Sequence, residues 1–198
     1  MSTDIERLLY YERQYLGSFD FTAEQNYHLE MRRRLNINLH TWGIVEGLEL
    51  LKGEIVPGAA EEVYVSEGMA VDAYGREIIV PSKKLVSEFL DQNPVSGTGV
   101  YSVWIGYTRE PSTPPAAGYR SCESHDQFTR WKEGFAIYLF KVSKDGPRFQ
   151  EEPQRYDAPL DDPQKYPWLI HLGTVSVDKN LTIINPTNDE RRYVGIRD

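Results

Sequence analysis

The chain has 198 residues, 40% hydrophobic and 26% charged, and carries a net charge of −8 from 22 bases and 30 acids. A chain of this length buries roughly 70% of the surface its unfolded form exposes, so one elaborated domain or two small units sharing a core is expected. The acidic balance supplies no basic face for a phosphate backbone by default, which argues against a dedicated nucleic-acid binder.

The N-terminus, "MSTDIERLLYYERQ", lacks the basic-then-apolar order of a signal peptide. Apolar runs such as "IIV" and "WLI" fall far short of the ~20 residues that span a bilayer, so a soluble, non-exported chain without membrane insertion is expected. Thr3 and Glu6 have capping-box spacing, and Ile5, Leu8 and Leu9 follow as an apolar stripe, which predicts a first short helix. Gly17 then breaks the chain. Thr22 and Gln25 repeat the start signal and predict a second helix running to about His40. Along it Tyr27, Met31, Leu35 and Leu39 recur every four residues, with Leu29 and Ile37 off that line, so the first four are predicted to face the core. Arg32, Arg33 and Arg34 fan over about 200° of helix and are predicted to be largely solvated.

From Gly43 the period changes. "GIVEGLELL", "EEVYVSEGMAVDAYGREIIV", "GVYSVWIGYTRE", "EGFAIYLFKVS", "WLIHLGTVSV" and "NLTIINP" are rich in β-branched and aromatic residues and bounded by turn formers, which predicts six or more short strands. Within "DAYGRE", Gly75 is placed to take the positive φ of a tight turn. The predicted class is α+β, with N-terminal helices (1–42) packed on an antiparallel β-sandwich or small barrel (43–198), forming one structural unit. Two proline-rich connections, 110–131 and 143–167, are expected as long loops ordered by partners.

Residues with chemistry are present but poorly arranged for it. His28 and His40 are twelve apart on one predicted helix, about 18 Å along its axis, and cannot share a metal. The lone cysteine, Cys122, excludes an intramolecular disulfide framework. With His125 and Asp126 it offers ligand-type side chains, but a structural zinc needs a second pair, which only His171 or a distant carboxylate could complete. No G-x-S-x-G elbow, dinucleotide fingerprint or phosphate loop occurs, and nothing evident orients His125 as a base for Cys122. Asp72, Glu77 and Glu46 are candidates for a carboxylate pair, although acids at strand ends and turns are usually solvated. No catalytic, metal-binding or cofactor-binding residue is assigned, and no cofactor or small-molecule substrate is expected. Thirteen tyrosines and four tryptophans exceed what a core of this size uses, which favours protein interfaces.

The order "DF-x-x-EQ-x-YH-x-x-x-RR-x-x-N-x-x-LH-x-WG-x-V-x-GL" is carried by Asp20, Phe21, Glu24, Gln25, Tyr27, His28, Arg32, Arg33, Asn36, Leu39, His40, Trp42, Gly43, Val45, Gly47 and Leu48. "GMAVDAYGREIIVP" follows, with Gly68, Ala70, Asp72, Gly75, Arg76 and Glu77. Together with "FTRWKEGFAIYLF" and "WLIHLGTVSV", this pattern resembles a small family of proteins encoded with phage-tail-like contractile injection systems. Thr41 stands where that family tends to have Gly, and the second cysteine of its middle loop is absent, which further weakens a metal reading.

The resemblance implies a non-enzymatic structural subunit in or around the baseplate. Its partners are then other tail and baseplate subunits in multiple copies. On the same resemblance it is expected to be cytoplasmic during assembly and afterwards part of a released or membrane-attached particle. Tyr27, His28, Arg32, Arg33, Asn36, His40 and Trp42 are the expected joint between helix and sheet, with the arginines or His28 reaching acids or carbonyls of the following strands. Two other classes stay open at this point: a carbohydrate-binding or adhesin β-sandwich using exposed Tyr and Trp, and a metal-dependent hydrolase using Cys122, His125 and Asp126.

Overall fold

The computed structural model describes residues 5–53, 61–90, 95–113, 128, 130–142 and 167–197. In chain order these form α1 (Ser18–Leu39), β1 (Gly43–Gly47), β2 (Leu50–Lys52), β3 (Val63–Val65), β4 (Gly68–Val71), β5 (Glu77–Val80) and β6 (Lys84–Leu85). A 3-10 turn at Val86–Phe89 then leads to β7 (Gly99–Ser112), β8 (Arg130–Lys141), β9 (Leu169–Val177) and β10 (Ile183–Thr187). Among the described residues the fold is therefore mostly β, with one α-helix and ten strands. They build three antiparallel sheets, ordered β1-β4-β5, β2-β3-β6 and β10-β9-β7-β8. Among the described residues none of the three closes into a barrel, which goes against the small-barrel alternative. Residues of all three sheets meet in one core, among them Ile44, Leu50, Val65, Ile78, Val103, Ile105, Ile137, Ile170 and Leu172.

The long strands follow from composition. β7, β8 and β9 are runs of β-branched and aromatic residues, and Tyr101 to Tyr107 are buried without interruption because the central strand is covered on both faces. β7 and β8 pair further than expected, through Glu110 opposite Lys132 and Ser112 opposite Arg130. The ends of the predicted 110–131 loop are thus strand. Cys122, His125 and Asp126 lie outside the described residues, as does nearly all of 143–167.

The N-terminal expectation needs two corrections. Residues 5–14 hold a turn at Glu12 and Arg13 and no helix. Leu9, Tyr10 and Tyr11 are exposed there, and a helix this short is marginal in water without a face to bury. The helix that does form starts four residues before Thr22. Gly17 ends the preceding segment, and its N–H donates to Asp20 Oδ2 at 2.8 Å, which satisfies a donor at the helix entry. Thr22 instead donates its hydroxyl to the Ser18 carbonyl within the first turn.

The second correction concerns the buried face of α1. Met31, Leu35 and Leu39 are exposed, and the one fully buried residue of the helix is Arg33. The side that meets the body is Leu29, Arg33, Asn36 and Ile37, the strip that apolar spacing alone passed over. A second side, with Ala23, Tyr27, Glu30 and Arg34, faces Ile5 and Glu6 of the N-terminal segment across a hollow of ≈220 Å³. The third side, Phe21, Gln25, His28, Arg32, Leu35 and Leu39, is exposed along its whole length.

Candidate functional site

The strongest concentration of buried polar groups lies where α1 crosses the turn between β4 and β5. That turn is built by Asp72. Its Oδ1 accepts from the backbone N–H of Tyr74 and of Arg76, both at 2.9 Å. Its Oδ2 accepts from Arg76 Nε at 2.5 Å. Gly75 closes the turn at φ +73, as its place in "DAYGRE" predicts. A Cβ at Gly75 would lie 2.5 Å from the Arg33 carbonyl oxygen and 3.0 Å from Ile37 Cγ1, so only glycine lets the helix come this close.

From the helix, Asn36 Nδ2 donates to the Gly75 carbonyl at 3.0 Å and to Glu77 Oε1 at 3.3 Å. Arg32 Nε lies 3.4 Å from the same Glu77 oxygen. Arg33 points inward, 5% exposed, toward Tyr107, Asp72, Arg76 and Glu133. The Arg76 guanidinium lies 4.8 Å from the Tyr74 ring centre and 5.3 Å from that of Tyr107. Two guanidinium groups, Arg33 and Arg76, and the Asp72 carboxylate are thus buried together, with the partly buried Glu77 and the exposed Glu133 at the edge of the site.

Burial dominates the titration of this cluster. It lowers the pKa of Arg33, with Arg76 adding to the effect, while Tyr107, Asp72 and Glu133 oppose it. It pushes the Asp72 carboxyl above its ordinary range, against the pull of Arg76 and two backbone amides. Burial first and the Glu133 carboxylate second raise the Tyr107 phenol to about 12. Such shifts also occur in active sites. Here, however, the space enclosed by Leu29, Arg33, Gly75, Arg76, Tyr107 and Glu133 is only ≈10 Å³. That is about one water, so the space between helix and turn is filled by these side chains, with Glu133 exposed at its edge.

The helix exit forms a second junction. His40 N donates to the Asn36 carbonyl at 3.1 Å, ending the helix. The His40 carbonyl accepts from Arg197 Nε at 2.8 Å, and His40 bridges Ile196 in antiparallel fashion. Thr41 and Gly195 exchange hydrogen bonds of 2.8 Å through the Gly195 carbonyl and the Thr41 hydroxyl. Trp42 is buried edge-on against Trp168 at 5.2 Å, with the Arg192 guanidinium 3.8 Å from its ring centre.

The seven residues expected at the joint thus separate into three groups. Arg32, Arg33 and Asn36 meet the β4–β5 turn. His40 and Trp42 sit at the helix exit against the C-terminal segment. Tyr27 and His28 lie on other sides of the helix, where His28 Nε2 is 3.0 Å from Glu24 Oε1 and 5.3 Å separates the two rings. Sequence reasoning missed Tyr107 and Glu133, which arrive from β7 and β8, and the closing role of "RRYVGIR". The three arginines of that segment, Arg191, Arg192 and Arg197, were the available signal.

Of the other candidates, Asp72 and Glu77 are held by Arg76 and Arg32 and do not face a shared cleft, and Glu46 is exposed on β1. His171 is buried on β9, its Nδ1 3.2 Å from the Glu190 carbonyl and its ring 4.8 Å from Trp104. Burial lowers its pKa from the usual value. No group of three or more His, Cys, Asp or Glu able to hold a metal occurs among the described residues.

No protein-family model and no curated protein matches the chain. Among solved structures, it is similar to a chain of a type VI secretion system baseplate subcomplex determined by cryo-electron microscopy, at 11% identity and a TM-score of 0.43. The match covers 93% of this chain and 60% of that one, so the chain spans less than two thirds of the length of the structure it matches.

Proposed function

We propose that this chain is a non-enzymatic structural subunit of a contractile injection system, in or around its baseplate, acting through contacts with other subunits. The observation that carries the reading is the closure of the helix–turn joint. Asn36, Asp72, Gly75, Arg76 and Glu77 hydrogen-bond to one another with Arg33 buried beside them, and all six are among the residues that carry the family resemblance. A motif used this way fixes the direction of a helix rather than a reacting atom. The helix so fixed presents a full side of exposed residues, apolar at both ends and polar in the middle, and such a side held outward on a rigid support is suited to a neighbouring subunit.

The test is to isolate contractile particles from the source cells and label them with an antibody to this chain. Labelling confined to one end of the particle is expected. Absence of the chain from purified particles, or absence of such particles from cells that express it, overturns the proposal.

A further inference from the structure

We infer that the outward side of α1 binds the same side of a second copy of this chain, with the two helices antiparallel. The inference rests on the structural-subunit reading and deepens it by naming the first neighbour. Phe21, Gln25, His28, Arg32, Leu35 and Leu39 are spaced alternately by four and three residues, the spacing of a seam between two paired helices. All six are exposed. The other two sides of α1 are already taken by the β4–β5 turn and by Ile5 and Glu6, so this is the side left for a partner helix.

The order of residues along the seam selects the occupant. Apolar groups stand at both ends, Phe21 at one and Leu35 with Leu39 at the other, and the middle is polar. A contact between identical copies about a two-fold axis must be complementary to itself. Parallel pairing fails this requirement, because it sets Arg32 against Arg32. Antiparallel pairing about Glu30 meets it: Phe21 falls level with Leu39 of the second copy, Gln25 with Leu35, and His28 with Arg32.

Charge agrees with that register. Glu24 Oε1 is 3.0 Å from His28 Nε2, which brings its carboxylate within a helical turn of the second copy's Arg32. Arg32 keeps 51% of its side chain exposed while touching Glu77, so it retains donors for this contact. Ile196, 83% exposed and bridged to His40, extends the apolar end beyond Leu39 toward Phe21 of the second copy. With half of its seam polar, the pair is expected to be a weak, concentration-dependent dimer.

Sedimentation velocity on the full chain, from low micromolar to submillimolar concentration, tests this. The wild type is expected to shift from monomer to dimer. Leu35→Asp, on an exposed position, is expected to weaken association by at least about tenfold with an unchanged circular dichroism spectrum. Glu24→Arg and Arg32→Glu are each expected to associate poorly alone and to form a dimer when mixed, because the mixture restores opposite charges in both halves. A wild type that stays monomeric, a Leu35→Asp variant that dimerises normally, or a mixture no better than its components overturns the inference. A monomer that is nevertheless built into contractile particles sinks this inference alone, whereas a seam dimer absent from any such particle sinks the reading it rests on.

Discussion

The main-chain carbonyl oxygen of Arg33 lies 2.5 Å from the point where a Cβ on Gly75 would stand. Helix and turn therefore touch backbone to backbone, and every other contact of the joint depends on that approach. Asn36 reaches the Gly75 carbonyl, and Arg33 passes beside the turn into the site shared with Asp72 and Arg76, only because nothing separates the two elements.

Replacing Gly75 by alanine adds a methyl group into that contact at a φ of +73. The backbone conformation alone costs about 1–2 kcal/mol for a residue with a Cβ, and the clash adds to it. A loss of roughly 2 kcal/mol or more in urea unfolding is expected, together with loss of hydrogen-exchange protection along α1. Unchanged protection of the helix would show that it is held by something other than this turn.

The three consecutive arginines should separate sharply. Arg33 is buried among groups that depend on its charge, so Arg33→Ala is expected to destabilise by about 3 kcal/mol or more. Arg32 and Arg34 make partly exposed pairs with Glu77 and Glu30. Alanine at either is expected to cost less than about 1 kcal/mol. Denaturation midpoints of the three variants give the comparison, and similar losses at all three positions would contradict the burial of Arg33.

This contrast also shows where the sequence was readable. The strands β7 to β9 are set by local composition and were legible as "GVYSVWIGYTRE", "FAIYLF" and "WLIHLGTVSV". The turn at Gly75 was legible too, because its backbone requirement is written into one residue. The packing face of α1 was not: apolar spacing favoured Tyr27, Met31, Leu35 and Leu39, whereas the true face centres on an arginine. A buried arginine depends on Tyr107, Asp72 and Glu133 arriving from β7, the β4–β5 turn and β8, and no helical periodicity reports that. Residues 5–14 failed for a related reason, since a cap signal starts a helix but tertiary packing keeps it.

His171 gives a pH dependence with a definite sign. Burial lowers its folded-state pKa below the unfolded value of about 6.5, so the folded chain binds fewer protons there than the unfolded one. Its contribution is fully present above about pH 6.5 and is lost as pH falls toward the depressed folded value. Urea unfolding over that range should show stability declining with acidification, and His171→Asn, whose amide can still donate to the Glu190 carbonyl, should flatten the decline. An equal slope in both proteins would remove His171 as the cause.

Trp42 and Arg192 tie the helix exit to the C-terminal segment. Trp42→Ala should cost about 3–5 kcal/mol by leaving a large cavity beside Trp168. Arg192→Ala alone should cost much less. A double-mutant cycle is expected to give a coupling of about 0.5–2 kcal/mol for the guanidinium over the ring. A coupling near zero would mean that the contact at 3.8 Å holds no energy.

Complementation connects the joint to the proposed role. In a strain lacking this chain, particles would be counted by electron microscopy after supplying the wild type, Arg34→Ala or Gly75→Ala. Normal counts are expected with the first two, and few or no complete particles with the third. Complete particles in the absence of the chain, or normal assembly with Gly75→Ala, would contradict a structural subunit whose helix is held in place by this turn.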